Sequence, residues 1–182
     1  MKLFSRALIA ALVCAVAVSG CKKEPSATTS EPEAFSFTVY PGARYLAQLT
    51  ELTKQAHHII KPNEEPPATA IYDVDAPVEQ VADFYAKAYG YDKVAPDATN
   101  NLSVSKPPAY YRAGDLAADQ KAIEPLLPKL NLKTDISKAQ GKYKAAEIDA
   151  KPNRPHVTIQ RPYFDVTASQ VVDRTMILMS RQ

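Results

Sequence analysis

The side chains able to do chemistry in this 182-residue chain are few and scattered. His57 and His58 are adjacent, and neighbours on a helix or strand point in different directions, so they make a poor chelate for one ion. His156, the remaining histidine, lies far along the chain, and no His-Glu-x-x-His spacing exists. No metal site is expected. Asp73 and Asp75 stand at i and i+2, and on a strand they would share one face. With His156 they form the weak candidate polar site, able to share a proton or hold a cation. The plainer expectation is that Asp73 meets solvent and Asp75 caps a following helix. Arg161, Asp165, Asp173 and Arg174 could pair as opposite charges across a hairpin, or supply a ligand-binding arginine. Tyr110, Tyr111 and Arg112 follow Pro107-Pro108 and are of the types enriched at protein-binding hot spots, a candidate interaction surface.

Several signatures are missing. The sequence holds no Gly-x-Ser-x-Gly elbow, no phosphate-binding loop and no dinucleotide fingerprint. No catalytic residue and no cofactor are expected. With 46% hydrophobic residues, 22 Lys plus Arg and 20 Asp plus Glu, the composition is that of a folded protein rather than a disordered one.

The N-terminus is the most specific stretch. Lys2 and Arg6 precede an apolar run from Ala7 to Val18, then Ser19-Gly20-Cys21. That run is shorter than the ~20 residues a spanning helix needs and suits the core of a signal peptide. Val18-Ser19-Gly20-Cys21 resembles the lipobox of bacterial lipoproteins. The resemblance covers residues 1–21 alone. It implies cleavage between Gly20 and Cys21, a diacylglycerol on the Cys21 thiol and a further acyl chain such as palmitate on the new amino group. Two or more chains anchor durably, at ~0.8 kcal/mol per buried methylene. Lys22 stands where an Asp would favour inner-membrane retention in enterobacteria. The resemblance therefore implies an outer-membrane protein facing the periplasm, with the bilayer as its first partner.

Removing the first 20 of 182 residues leaves 162 and takes away Lys2 and Arg6, so 20 basic side chains face 20 acidic ones. A balanced domain has no net field to draw nucleic acid, and none is expected as a partner. Cys14 leaves with the signal, so no free thiol remains once Cys21 is alkylated.

Residues 21–34 comprise Cys21 and a run without large apolar side chains, which predicts a flexible tether. Residues 35–182 should form one globular domain. A turn at Tyr40-Pro41-Gly42-Ala43 leads into Arg44 to Leu52, strand or helix, and His57 to Pro67 reads as loop. Ala68 to Asp75 reads as a strand. Val78, Val81, Ala82, Tyr85, Ala88 and Tyr89 repeat at helical spacing, with Asp75 or Ala76 to cap and Gly90 to stop. Residues 92–112 are irregular, with Leu102 to Val104 a possible strand. A second helix is expected from Asp115 to Glu124, broken by Pro125 and Pro128. Tyr143 to Ile148, His156 to Phe164 and Val171 to Met179 read as strands, the last two as a hairpin. This order predicts an α+β fold, an antiparallel sheet with two main helices packed on one face.

The function expected is a membrane-anchored envelope lipoprotein with a non-catalytic domain that binds an envelope protein or other component. Alternatives are an inhibitor or immunity lipoprotein against a cell-wall hydrolase, or an envelope hydrolase built from distant carboxylates and His156. A lipid or small-ligand carrier would require a large apolar cavity, and the tight helical face and modest aliphatic content speak against one.

Overall fold

The computed structural model describes residues 38–97 and 106–181. Gly20, Cys21, the tether, the first residues of the expected domain and the Leu102–Val104 strand lie outside the described residues.

The fold is α+β. Six antiparallel strands form the main sheet: β1 (Arg44–Tyr45), β2 (Ala68–Val74), β3 (Ala109–Asp115), β4 (Lys142–Ile148), β5 (His156–Arg161) and β8 (Thr175–Arg181), in the order β1-β2-β8-β5-β4-β3. A two-stranded flap, β6 (Tyr163–Asp165) and β7 (Gln170–Val172), is an extension of the β5–β8 hairpin. Pro162, lacking an amide donor, stands where β5 gives way to this flap. Three α-helices complete the described residues: α1 (Ala47–Ile60), α2 (Val78–Tyr89) and α3 (Leu116–Ile123).

The register sorts the side chains into two faces, because directly opposed residues point the same way. One face carries the rows Ala70, Met179, Val157, Ile148, Ala109 and Tyr72, Ile177, Ile159, Ala146, Tyr111. Against it α2 buries Val78, Val81, Ala82, Tyr85, Ala86 and Tyr89, the stripe its spacing predicts except that Ala86 is buried and Ala88 only partly so. Gly90 ends α2 in the left-handed conformation that favours glycine. Tyr85 is fully buried, and its hydroxyl accepts the Tyr40 amide at 3.1 Å. Burial pushes its phenol far up, and pushes that of Tyr89 up to about 12.

The other face is covered by α1, α3 and the flap. Leu46 donates its amide to the Ile71 carbonyl, and Thr50 Oγ1 accepts the Ile71 amide at 2.9 Å, so α1 takes over the edge of β2 where the short β1 stops. The sequence reading of His57 onward as loop is corrected: α1 runs to Ile60, and the loop is 61–67. Asp115 caps α3 by accepting the Ala117 and Ala118 amides. Leu116 then packs with Ala139, Tyr143, Ala145 and Phe164 in a second small core. After α3, Pro125 and Pro128 leave short 3-10 turns at Glu124–Leu126 and Pro128–Leu130. β3 is a strand the sequence reading treated as irregular. The helices are thus divided between the faces, with α2 alone on the first. Among the described residues, both cores are built between Tyr40 and Met179.

Candidate functional site

The second face divides into a polar half and an apolar half. Glu147 on β4 organises the polar half. Its Oε1 accepts from Arg112 Nε at 2.6 Å, and its Oε2 accepts from Thr158 Oγ1 at 2.7 Å and contacts His156 Nε2 at 2.9 Å. Strand order explains the meeting: Glu147 faces Thr158 across the β4–β5 ladder, and Arg112 leans over from β3. Burial pushes the Glu147 carboxyl up, but the bonds from His156, Thr158 and Arg112 outweigh that and hold it below the ordinary value. The bond to Glu147 in turn raises His156, against a smaller lowering by burial. The network continues through Arg112 Nη1 to the Tyr143 hydroxyl at 2.7 Å, and that hydroxyl donates to Asp119 at 2.6 Å. Gly114 lies opposite Tyr143, and a Cβ there would come within 2.2 Å of the ring. Only glycine lets the tyrosine lie flat across β3. Each carboxylate oxygen of Glu147 is satisfied, so this half is a fixed structural network.

Asp73, expected at the surface, is fully buried. Its carboxylate accepts from Arg44 Nε at 3.2 Å and Nη2 at 2.9 Å, Arg174 Nε at 3.0 Å and the Tyr163 hydroxyl at 3.1 Å. A buried carboxylate needs such partners, because desolvation without them costs several kcal/mol. Burial first, then the Asp73 charge, pushes the Tyr163 phenol far up. Asp75 does not cap α2, whose cap position is Pro77; it pairs instead with Arg161 Nη1 at 3.4 Å. Arg161 Nε also bonds Asp173 at 2.8 Å, the hairpin ion pair the sequence suggested.

The sequence-selected residues therefore occupy separate places. In the ladders His156 is level with Ser180 and Thr69, so its Cα lies two strands and four residues from Asp73, about 16 Å in sheet geometry. Asp73, Asp75 and His156 each answer to a different arginine or carboxylate. Tyr110 and Arg112 share the second face, while Tyr111 turns to the first and packs on the α2 core. Strand alternation divides that trio, so it forms no single patch.

The apolar half holds what the sequence reading did not find. Between the β2–β8 end of the second face and its cover is a cavity of about 410 Å³. Ile71, Met176 and Leu178 make the floor, Leu49, Leu52, Thr53 and Ala56 of α1 one wall. The leucine-rich run from Ile123 to Leu132 makes the opposite wall, and Phe164 and Val166 of the flap close one side. Of its fourteen lining residues only Thr53 is polar, and its hydroxyl already donates to the Leu49 carbonyl at 2.9 Å. The expectation that no large apolar cavity would exist is therefore corrected. The aliphatics on its two walls come from α1, whose first half reads as either strand or helix, and from a stretch that Pro125 and Pro128 interrupt. Packed interiors seldom leave voids larger than a water molecule, whereas ligand sites run to about 300–1,000 Å³ and are mostly apolar.

Among the described residues no group of three or more His, Cys, Asp or Glu could hold a metal ion, and no helix is long and apolar enough to cross a membrane. Comparison with protein-family models, with curated proteins and with solved structures gave no match.

Proposed function

We propose that this protein is a lipid-anchored envelope lipoprotein whose domain is a non-catalytic binding module for an elongated apolar molecule. The apolar cavity on the second sheet face carries this reading. A cavity of 150 Å³ takes a benzene, so one of 410 Å³ suits roughly sixteen heavy atoms, the size of one long alkyl chain. Each methylene moved from water into it contributes about 0.8 kcal/mol. Anchoring by an acylated Cys21 would hold such a module at a bilayer surface, where molecules of this kind are found. Asp73, Asp75 and His156, the sequence candidates for hydrolysis, are instead tied into separate ion pairs, which favours binding over hydrolysis.

Two measurements test the two parts. Cys21→Ser should block maturation and move the protein from the membrane to the soluble fraction; continued sedimentation with membranes would remove the anchor. The chain from Phe35 onward should enhance the fluorescence of an uncharged naphthylamine dye, and hexadecanol should displace it. Absence of saturable dye binding removes the binding module.

A further inference from the structure

We infer that the cavity selects a single-chain amphiphile with an anionic head, a long-chain carboxylate, whose acid group is held by Arg174 at the Asp73 end. The inference rests on the apolar-ligand reading above and adds a polar end to it. Asp73 faces Met176 across the β2–β8 ladder and lies two residues from Ile71, and both of these line the cavity floor. Opposed residues on one face stand about 5 Å apart, so the buried carboxylate sits directly beyond the apolar floor. Asp73 accepts four hydrogen bonds from Arg44, Arg174 and Tyr163 and has no further use for a donor. Arg174 spends only its Nε there. Its terminal nitrogens have no hydrogen-bond partner among the described residues, and its side chain is 35% exposed.

A guanidinium pinned at Nε presents its outer edge in a fixed plane, the geometry that takes a carboxylate through parallel hydrogen bonds. Two guanidiniums meet one carboxylate at this end. Asp165, whose field reaches Tyr163, is occupied by the amides of Thr167 and Ala168, and Asp173 by Arg161. A chain headed at Arg174 would run over Ile71 and Leu178 beneath α1. The rival place for a polar head is the last turns of α1, where His57 Nε2 is buried without a hydrogen-bond partner in the described structure.

The test measures competition by hexadecanoate and hexadecanol, both below micellar concentration at pH 8, using the chain from Phe35 onward. Hexadecanoate should bind at least about tenfold tighter, the scale of one charge-assisted hydrogen-bond pair. That preference should disappear in Arg174→Met and return in part in Arg174→Lys, while hexadecanol affinity stays constant and reports an intact cavity. Added salt should shrink the preference in the unaltered protein and leave hexadecanol unchanged, a readout independent of any substitution. Equal binding of acid and alcohol overturns the inference and leaves the binding module standing. So does a preference that survives Arg174→Met or is abolished by His57→Ala instead. Binding of neither compound overturns both.

Discussion

The two faces of the sheet are built from the same strands and reach opposite ends. On the first, one regular helix meets two apolar rows, and Val81, Ala82, Tyr85, Ile177, Met179 and Val157 are all fully buried. On the second, the cover is assembled from α1, a proline-broken turn region and a flap, and it leaves a 410 Å³ cavity beside a charged network. A continuous helical stripe interdigitates with a pleated surface, whereas a helix, a run of short turns and a flap meeting from three sides do not close over it. The first face supplies cohesion, which leaves the second free to keep a cavity and a buried carboxylate that add little to stability.

Adjacent residues on β8 break this comparison most directly. Ile177 is fully buried on the first face and Leu178 lines the cavity on the second. Ile177→Ala should cost about 2–5 kcal/mol, the range for truncation in a packed core. Leu178→Ala should cost clearly less, because it widens a space that is already there. Urea unfolding of both variants checks the difference; equal losses would mean that both faces are packed alike.

The polar half comes next. Glu147→Ala strands the partly buried Arg112 without its carboxylate and should cost about 2–4 kcal/mol. Replacing Arg112, Glu147 and Thr158 together by apolar residues should recover part of the loss, if the network fixes geometry rather than supplying net stability.

How far the sequence foretold these two faces follows the same division. The stripe of α2, the rough alternation of β2 and the strand-like runs of β5 and β8 extend over enough residues to be read without tertiary knowledge. The ion pair of Arg161 with Asp173 was legible because a hairpin brings near neighbours in sequence together. Glu147 was not, since its partners Arg112 and His156 arrive from other strands, and one glutamate within a strand carries no pattern of its own. A charge in the middle of a strand was the available signal. Arg174 stands in a charged group visible in the sequence, but its partner Asp73 lies 101 residues away. The cavity was hidden for a further reason: it is a failure of pieces to fill space, and no spacing in a sequence encodes that.

Gly114→Ala sharpens the same point on a smaller scale. The added Cβ would stand 2.2 Å from the Tyr143 ring, so the ring must swing away from Arg112 and Asp119. The expected cost is about 1–3 kcal/mol, as for other overpacked sites. In a double-mutant cycle with Tyr143→Ala most of that cost should vanish, since nothing is then left to displace.

Proton linkage gives a weaker and more selective signal. His156 titrates above its ordinary 6.5 in the folded protein because of Glu147, so its stabilising share is complete below 6.5 and is lost as pH rises through the folded value. Glu147 has its value lowered from 4.5, so its share is complete above 4.5 and is lost as pH falls through the folded value. Stability should therefore decline on the alkaline side, and His156→Gln should remove that decline. Urea midpoints at pH 5.5 and 8.5 check it; an unchanged alkaline slope in the variant would place the titrating group elsewhere.

The smallest change in stability belongs to the most decisive substitution. Ala56 lines the cavity from the third turn of α1, and Ala56→Leu would extend a side chain into the space without touching the first face. In a packed core that enlargement destabilises by about 1–3 kcal/mol. Here it should be neutral or stabilising by up to about 1 kcal/mol, because the added carbons gain contacts and displace nothing. Dye and hexadecanol binding should weaken at the same time. Stability that rises while binding falls separates a cavity kept for a ligand from a cover that merely packs poorly, since filling the latter would raise stability with no binding to lose.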